Sequence, residues 1–244
     1  MLQDHIQFIL RTVRRLQGES RPIDLLDIGC SSGTLLHELS RRGIPVCGLD
    51  ISEEAVTYAR EVYRLECEVG DLEHFPWKDR TFSIITLFHV LEHVANPRAF
   101  LGSVRKRLRT GGVLIVQVPN LRSWQFRCLG RRWHGLDVPR HLVNFPETAL
   151  KDLLGRSGFQ VLRQKRFSLR DDAAALLSSL FPVLDPKGRS VRERSETARA
   201  KSSGLSEMFL DFAYFSLLLP AVPLALCDSL AGHGATIMIE AQSL

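Results

Sequence analysis

The chain has 244 residues, of which 45% are apolar and 24% are charged. This composition is typical of a globular protein, and the length suffices for one sizeable α/β domain with an insertion. The five cysteines are odd in number and contain no C-x-x-C pair, which argues against a disulfide framework and a zinc site and predicts reduced thiols in a cytoplasmic protein.

Positive charge is concentrated in one segment. Residues 98–140 contain ten Lys or Arg and one acidic residue, a net +9, whereas the rest of the chain carries 22 basic and 26 acidic residues, a net −4. Such a segment is either a solvated basic surface or a surface that faces an anionic partner. Residues 1–20 mix apolar residues with arginines, which predicts a short amphipathic helix and not a signal peptide.

A strand–loop–helix unit follows this N-terminal helix. The apolar strand 25–28 contains one acidic residue, Asp27, and the loop from Gly29 to Gly33 leads into a helix that begins at Thr34. Glycines in such a loop allow a ligand to approach the backbone closely. These residues predict a nucleotide-binding unit.

The next apolar strand, 45–49, ends in Asp50, which lies 21 residues beyond Gly29. Nucleotide-binding α/β units carry at this place the carboxylate that binds ribose hydroxyls. The dinucleotide fingerprint G-x-G-x-x-G would need glycines where Ser31 and Thr34 stand, and no lysine is near for a Walker-type phosphate loop. The sequence therefore favours another kind of nucleotide.

The loop resembles motif I of class I S-adenosylmethionine (SAM) methyltransferases, in which an acidic residue is followed closely by G-x-G-x-G. Asp27, Gly29 and Gly33 match this motif, and Ser31 stands in place of the middle glycine. The resemblance implies that the loop, with Cys30 and Ser31, lies against the methionine part of SAM. It also implies that Asp27 fixes the loop or the amino group of SAM.

The residues that end the second and third strands fit the same family. The resemblance implies that Asp50 holds the ribose hydroxyls and that Ile51 packs on the adenine. Asp71 and Leu72, after the third strand, then contact the edge and the face of the adenine. From the residues alone, Asp71 could equally be an ordinary turn residue.

A third matching segment follows the apolar strand 82–88. Its sequence, His89-Val90-Leu91-Glu92-His93, resembles the H-V-L-E-H segment that is common in small-molecule methyltransferases, including those of the ubiquinone pathway. The resemblance implies that His89 lies near the transferring methyl group. A turn at 110–112 and a strand at 113–118 continue the matches in the expected order and spacing.

The resemblance implies a doubly wound α/β fold with a mostly parallel seven-stranded sheet whose seventh strand is antiparallel. We expect the sixth strand over 160–167 and the seventh over 235–241. The whole chain, 1–244, is then a single domain, and residues 168–231 form a helical apolar insertion or lid between strands 6 and 7.

Three histidines, His89, His93 and His141, lie nearest the expected site and have the right unperturbed pKa for a general base. We choose His141 first, because it lies on the expected acceptor side of the site, and His89 second. The side chains of His89, Glu92 and His93 are also of types that bind metals. The family usually needs no metal, although some quinone-pathway O-methyltransferases use one, and we predict none here.

The most apolar part of the chain is 208–226, whose length is close to that of a membrane-spanning helix. An acidic residue and two prolines interrupt it, so we expect an unbroken helix to end at Leu219 and spanning is disfavoured. A buried lid or a helix at a membrane interface remains. Together with the basic segment 98–140, the second alternative predicts peripheral contact with the inner face of a membrane. Residues 182–206, before it, are interpreted as a mobile charged linker.

We therefore predict a SAM-dependent methyltransferase that acts on an oxygen or carbon of a small-molecule or lipid-linked acceptor. The alternative is an RNA methyltransferase that uses the basic, aromatic loop 122–140. Adenine N-methylases typically carry N/D-P-P-Y/F where this chain has Phe88–Leu91, so a nucleic-acid partner is disfavoured. A non-catalytic SAM-binding module is supported only by Ser31, and Asp50 and Asp71 argue against it.

Overall fold

The computed structural model describes residues 2–18, 22–77, 80–166, 169–185, 204–230 and 232–244. The chain divides into two compact units. The first, here called the sheet unit, consists of Met1–Pro119, Pro139–Lys165 and Ile237–Leu244. The second, the helical unit, consists of Asn120–Val138 and Arg166–Thr236. The organisation as one domain with an insertion over 168–231 stays a prediction.

Seven strands form one sheet in the order β3-β2-β1-β4-β5-β7-β6. In chain order they are β1 (Leu25–Ile28), β2 (Val46–Asp50), β3 (Glu66–Val69), β4 (Phe82–Phe88), β5 (Leu108–Pro119), β6 (Phe159–Lys165) and β7 (Thr236–Ser243). The pairs β3–β2, β2–β1, β1–β4 and β4–β5 are parallel, and β7 runs antiparallel to β6. The predicted doubly wound fold is confirmed.

The helices of the sheet unit are α1 (Gln3–Leu16), α2 (Thr34–Ser40), α3 (Glu53–Tyr63), α4 (Pro97–Arg107) and α6 (Glu147–Arg156). Those of the helical unit are α5 (Trp124–Leu129), α7 (Leu169–Leu180) and α8 (Gly204–Leu230). Local signals set several helix starts. The Ser52 hydroxyl accepts a hydrogen bond from the Ala55 amide at the start of α3, and Asn96 does the same for Ala99 at the start of α4.

Alternate residues of the central strands pack into two separate cores. Leu26, Ile85 and Leu114 belong to the core that includes residues of α4 and α6. Their strand neighbours, such as Leu25 and Ile84, belong to the core that includes residues of α1, α2 and α3. Successive side chains of a strand point to opposite faces, so a sheet covered on both faces has near-continuous apolar strands. This is why the strands of this chain could be recognised in the sequence.

A buried carboxylate attaches α1 to β6 and β7. Glu240 is 2% exposed and accepts hydrogen bonds from the Thr12 hydroxyl and from the guanidinium groups of Arg15 and Arg163. Two cations and a hydroxyl around one carboxylate offset the cost of removing its charge from water. The predicted N-terminal amphipathic helix is confirmed, and this network fixes its place.

The start of the fifth strand differs from the sequence prediction. Strand pairing begins at Leu108 and not at 113, and the expected turn at 110–112 lies within β5. The register passes from Phe82–Leu108 to Ile84–Val113, so β5 has three extra residues at this place. A turn signal and a bulge use the same residue types, and only the pairing with β4 distinguishes them.

The expected end of the last helix at Leu219 is wrong, because Pro220 and Pro223 lie inside α8. A proline costs a helix one amide donor and creates a steric clash, yet tertiary packing can override this preference. Ala221, between the two prolines, is 4% exposed and packs in a cluster with residues of α7. No helix among the described residues is long and apolar enough to cross a membrane. The predicted linker over 182–206 falls largely on residues 186–203, which lie outside the described residues.

Candidate functional site

The candidate site lies where the strand order reverses. From β1 the chain continues outward to β2 and β3, whereas β4 lies on the other side of β1 and leads to β5. In doubly wound sheets, ligands bind outside the carboxyl ends of the strands at such a switch point. The segments that follow β1, β2 and β4 therefore form the candidate site.

The loop after β1 has a left-handed backbone at three of its five residues. The φ angles are +79° at Gly29, +49° at Ser31 and +76° at Gly33. Glycine adopts this conformation without steric cost, whereas for Ser31 it is strained. The Gly29 amide donates to the Leu49 carbonyl at 2.7 Å, which attaches the start of the loop to β2. A conformation held against local strain is typical of functional sites.

Gly29 has no room for a side chain. A Cβ atom there would lie 2.4 Å from Cγ2 of Val90, in the segment after β4. Real Cβ contacts are essentially never so short, so any other residue would displace the Val90 side chain and strain a backbone whose φ is +79°. The glycine therefore serves close packing between two parts of the site as well as backbone freedom.

Asp50 holds the loop in place from the end of β2. Its Oδ2 accepts a hydrogen bond from the Ser31 amide at 2.7 Å, and its Oδ1 accepts one from the Ser52 amide at 2.9 Å. An ionised carboxylate can accept about four hydrogen bonds, so capacity remains for a ligand diol. Ile51, next to it, is 82% exposed, which leaves an apolar surface at the end of the strand.

The side chain of Cys30 is buried, although its backbone is part of the loop. Cys30 is 5% exposed, and its sulfur lies next to that of Cys67, so that a Cβ atom on Gly48 would be 2.6 Å from both sulfurs. A hydrogen bond with Cys67, together with burial, raises the pKa of Cys30, which keeps it a neutral thiol. Only the backbone of Cys30 is therefore available to a ligand of the loop.

Asp27 is a buried carboxyl inside the sheet. It is 3% exposed, and its Oδ1 accepts a hydrogen bond of 2.6 Å from the hydroxyl of Thr86 on β4. Burial raises the pKa of Asp27 to about 7, against the opposing effect of the Thr86 hydrogen bond, and the nearby charge of Asp50 raises it further. A carboxyl in this state is readily ionised by a cationic ligand group, because a nearby positive charge lowers its pKa.

Asp71 has the geometry of a turn residue. Its Oδ1 accepts hydrogen bonds from the amides of Glu73 and His74, and the His74 amide bond is the main cause that lowers the pKa of Asp71. Leu72 is 7% exposed and packs in the core beside β1 and β4. The contacts with adenine that the sequence predicts for Asp71 and Leu72 stay predictions.

His89 is held by hydrogen bonds at both ring nitrogens. The Gln117 side-chain amide donates to its Nε2 at 3.2 Å, and its Nδ1 donates to Oε1 of Glu92 at 3.1 Å. Its φ of +58° is unusual for a residue other than glycine. Gln117 is fully buried and Glu92 is 1% exposed. A polar network at this depth fixes the orientation of the imidazole at the end of β4.

The structure places His141 beside the segment that follows β4 and contains Glu92 and His93. The amides of Leu142 and Val143 donate to the Glu92 carbonyl. Nδ1 of His93 donates to the Arg140 carbonyl at 2.9 Å, and the ring centroids of His93 and His141 are 4.8 Å apart.

Three side chains of this group have the types and spacing of metal ligands. One possible ligand atom from each of Glu92, His93 and His141 lies within 4.8 Å of the others. This set differs from the one considered in the sequence, because His141 takes the place of His89. Two imidazoles and one carboxylate could hold a transition-metal ion.

Sequence reasoning missed two buried polar residues, Thr86 and Gln117. Both stand within strands that are otherwise almost wholly apolar. A polar residue in such a strand has to find a hydrogen-bond partner, and these two bind Asp27 and His89. A polar residue in the middle of an otherwise apolar strand was the sequence signal that could have identified both.

Part of the chain is similar in sequence to known methyltransferases. Residues 2–164 match a family model described as a methyltransferase domain. A probable S-adenosylmethionine-dependent methyltransferase of Mycolicibacterium smegmatis is 30% identical over 57% of this chain and 52% of its own length. A ubiquinone biosynthesis O-methyltransferase of Aliivibrio fischeri is 27% identical over 51% of this chain and 55% of its own length. The match thus covers about half of each relative.

Solved structures show the same fold at low identity. A (4+2)-cyclase superposes with a TM-score of 0.59 at 19% identity, over 91% of this chain and 74% of that chain. A magnesium protoporphyrin IX methyltransferase from Synechocystis, solved with bound S-adenosylhomocysteine, has a TM-score of 0.52 at 21% identity, over 67% of this chain and 77% of that chain.

Asp27 should make the stability of the fold depend on pH. Between about pH 4 and pH 7 the unfolded chain has lost this proton while the folded chain keeps it, so the free energy of unfolding should fall as the pH rises, by at most about 1.4 kcal/mol per pH unit. Asp27→Asn should remove this part of the slope. Thr86→Val, which removes a hydrogen bond that lowers the pKa, should extend the slope to higher pH. Urea unfolding across this range measures it, and an Asp27→Asn slope equal to that of the wild type would contradict the assignment.

Proposed function

Because this chain belongs to the methyltransferase-domain family, we propose that it transfers a methyl group from SAM to an oxygen atom of a small-molecule or lipid-linked acceptor. The observation that carries the proposal is the convergence of the Gly29–Gly33 loop, Asp50 and the His89–Glu92 pair at the switch point of the sheet. The O-methyltransferases among the relatives, one of which acts in ubiquinone biosynthesis, support oxygen as the methylated atom.

The residues around the loop fit the chemical groups of SAM. In this proposal Asp27 takes the positive charge of the amino group, the loop backbone lies against the methionine part, and Asp50 accepts from the ribose hydroxyls. Ile51, exposed at the end of β2, covers one face of the adenine. SAM would supply a methyl group on a positively charged sulfur. The acceptor oxygen would attack the methyl carbon in line with the carbon–sulfur bond, which breaks as S-adenosylhomocysteine leaves. The protein has to align the two reactants, exclude water and remove a proton.

A hydroxyl acceptor has to lose its proton during the transfer, and we assign this task to His141. Both ring nitrogens of His89 are engaged by Gln117 and Glu92. This arrangement suits a residue that orients the acceptor better than one that takes its proton. His141 follows Arg140 in the segment that the Glu92 carbonyl holds beside the end of β4. A neutral imidazole there can accept the proton of a hydroxyl acceptor.

An RNA acceptor is the second candidate, and the loop 122–140 gives it little support. Of its three aromatic residues, Trp124 is 48% exposed, Phe126 is half-buried and Trp133 is 2% exposed. The indole of Trp133 donates to the Gln125 side chain at 3.3 Å. Stacking on bases needs exposed ring faces. One exposed ring among three favours a structural role for the others and a small acceptor.

Asp50→Ala should weaken SAM binding at least about tenfold, because the diol loses a charged acceptor and the Ser31 amide loses the group that orients the loop. Isothermal titration calorimetry with SAM measures this. Asp152→Ala, which removes an exposed carboxylate from α6, is the matched control and should leave the dissociation constant unchanged. An unchanged constant for Asp50→Ala would contradict its assignment.

Labelling experiments test the acceptor. The purified protein, a cell extract and SAM with a radioactive methyl group should together yield labelled small molecules or lipids that survive ribonuclease treatment. A label lost on ribonuclease treatment would favour the RNA alternative. If SAM binds in the calorimeter but no extract component is labelled, the chain is a binding module, and methyl transfer is the part of the proposal that fails.

His141→Gln should lower kcat by about 10²–10⁴-fold, the usual contribution of a positioned base, with little change in KM for SAM. The loss should shrink at high pH, where the acceptor ionises without help. Measuring both proteins before and after treatment with EDTA distinguishes a base from a metal ligand. Full turnover of His141→Gln at every pH would refute the base, and loss of wild-type turnover in EDTA would assign His141 to a metal.

A further inference from the structure

The two faces of α8 differ in what covers them. On one face Tyr214 and Ala221 are buried in a cluster with Ala173, Leu176 and Leu177 of α7. This packing explains how α8 is held within the helical unit. It also leaves the opposite face without a partner among the described residues.

The opposite face of α8 carries large apolar side chains in solvent. Met208 is 65% exposed, Phe209 and Phe212 are each 70% exposed, and Phe215 is 52% exposed. Met208, Phe212 and Phe215 follow the i, i+4, i+7 spacing that places side chains on one stripe of a helix. Single exposed apolar residues are common, but a contiguous group of this kind marks an interaction surface. We call these four residues the exposed α8 face.

The helical unit also carries exposed positive charge. Its loop 122–132 has four exposed arginines, Arg122, Arg127, Arg131 and Arg132, and no acidic residue. Leu129 of this loop packs against the cluster of α7 and α8. Apolar and cationic groups thus belong to one unit.

We propose that the exposed α8 face docks on an anionic lipid surface, with the helix lying in the plane of the interface. Durable peripheral binding needs two signals, an inserted apolar face and a basic segment that attracts acidic lipid, and the helical unit has both. A second copy of the chain fits less well, because pairing through this face would bring together two units that each expose four arginines in the loop 122–132. The proposal does not depend on the methyl-transfer chemistry.

This docking would bring the enzyme to membrane-dissolved acceptors. Of the predicted basic segment 98–140, only the part around 122–132 enters this proposal, because residues 98–119 belong to the sheet unit. The apolar contribution comes from phenyl groups that are largely exposed in the free protein. Phe215 also contacts the ring of Tyr214 edge to face, so the thermal stability of each variant has to be compared with that of the wild type.

Co-sedimentation of the full chain with vesicles tests the proposal. At low salt the protein should bind vesicles of phosphatidylcholine and phosphatidylglycerol, bind pure phosphatidylcholine much more weakly, and dissociate as salt is added. The double variant Phe212→Ser/Phe215→Ser should bind at least about tenfold more weakly, because it loses two inserted side chains. Val62→Ser, a comparably exposed apolar position on α3, should bind as the wild type does.

A charge variant separates the two signals. Arg131→Gln/Arg132→Gln should weaken binding to the acidic vesicles by roughly tenfold or more and leave the weak binding to phosphatidylcholine unchanged. Thermal unfolding of each variant checks that the fold is intact. Two results would overturn the proposal: no binding of the wild type to acidic vesicles at low salt, or a wild-type dimer in light scattering that Phe212→Ser/Phe215→Ser converts to a monomer.

Discussion

The candidate site depends on the close contact between the loop after β1 and the segment after β4. Gly29 leaves no space for a Cβ atom beside Val90, and the Gly29 amide is held by the Leu49 carbonyl. Asp50 then binds the Ser31 amide and fixes the rest of the loop. Three strand ends are joined in this way at the point where the strand order reverses. A nucleotide placed there would contact a rigid frame, which is what the alignment of two reactants requires.

Buried polar groups give this frame its chemical character. Asp27 with Thr86, and Gln117 with His89 and Glu92, occupy positions at which an apolar residue would pack at lower cost. These buried polar side chains distinguish the carboxyl ends of β1, β4 and β5 from the rest of the core, which is apolar. The raised pKa of Asp27 follows from the same burial. Fold likeness extends to a cyclase as well as to methyltransferases, so these side chains, more than the fold, carry the functional argument.

The two units contribute different kinds of surface. The sheet unit contains the loop, the carboxylates and the histidines at the switch point of the sheet. The helical unit carries exposed phenylalanines on α8 and exposed arginines near α5. A transferase that acts on lipid-linked acceptors needs both a site for the methyl donor and a means of reaching the acceptor. The proposals for the two units are physically independent, because each rests on contacts within its own unit.

The sequence by itself determined the strands apart from the start of β5, together with the glycine loop and the place of Asp50, because these depend on local periodicity and on residues within a few positions of one another. Tertiary structure alone decided what meets across long separations. His141 joins His93 through the Glu92 carbonyl, Gln117 reaches His89, and α8 continues through two prolines because it packs on α7. The difference has a physical reason. Local conformational preferences depend on neighbouring residues. Packing energies, which arise only when the chain has folded, determine the partner of a buried polar group, the pairing of a bulged strand and the tolerance of a helix for proline.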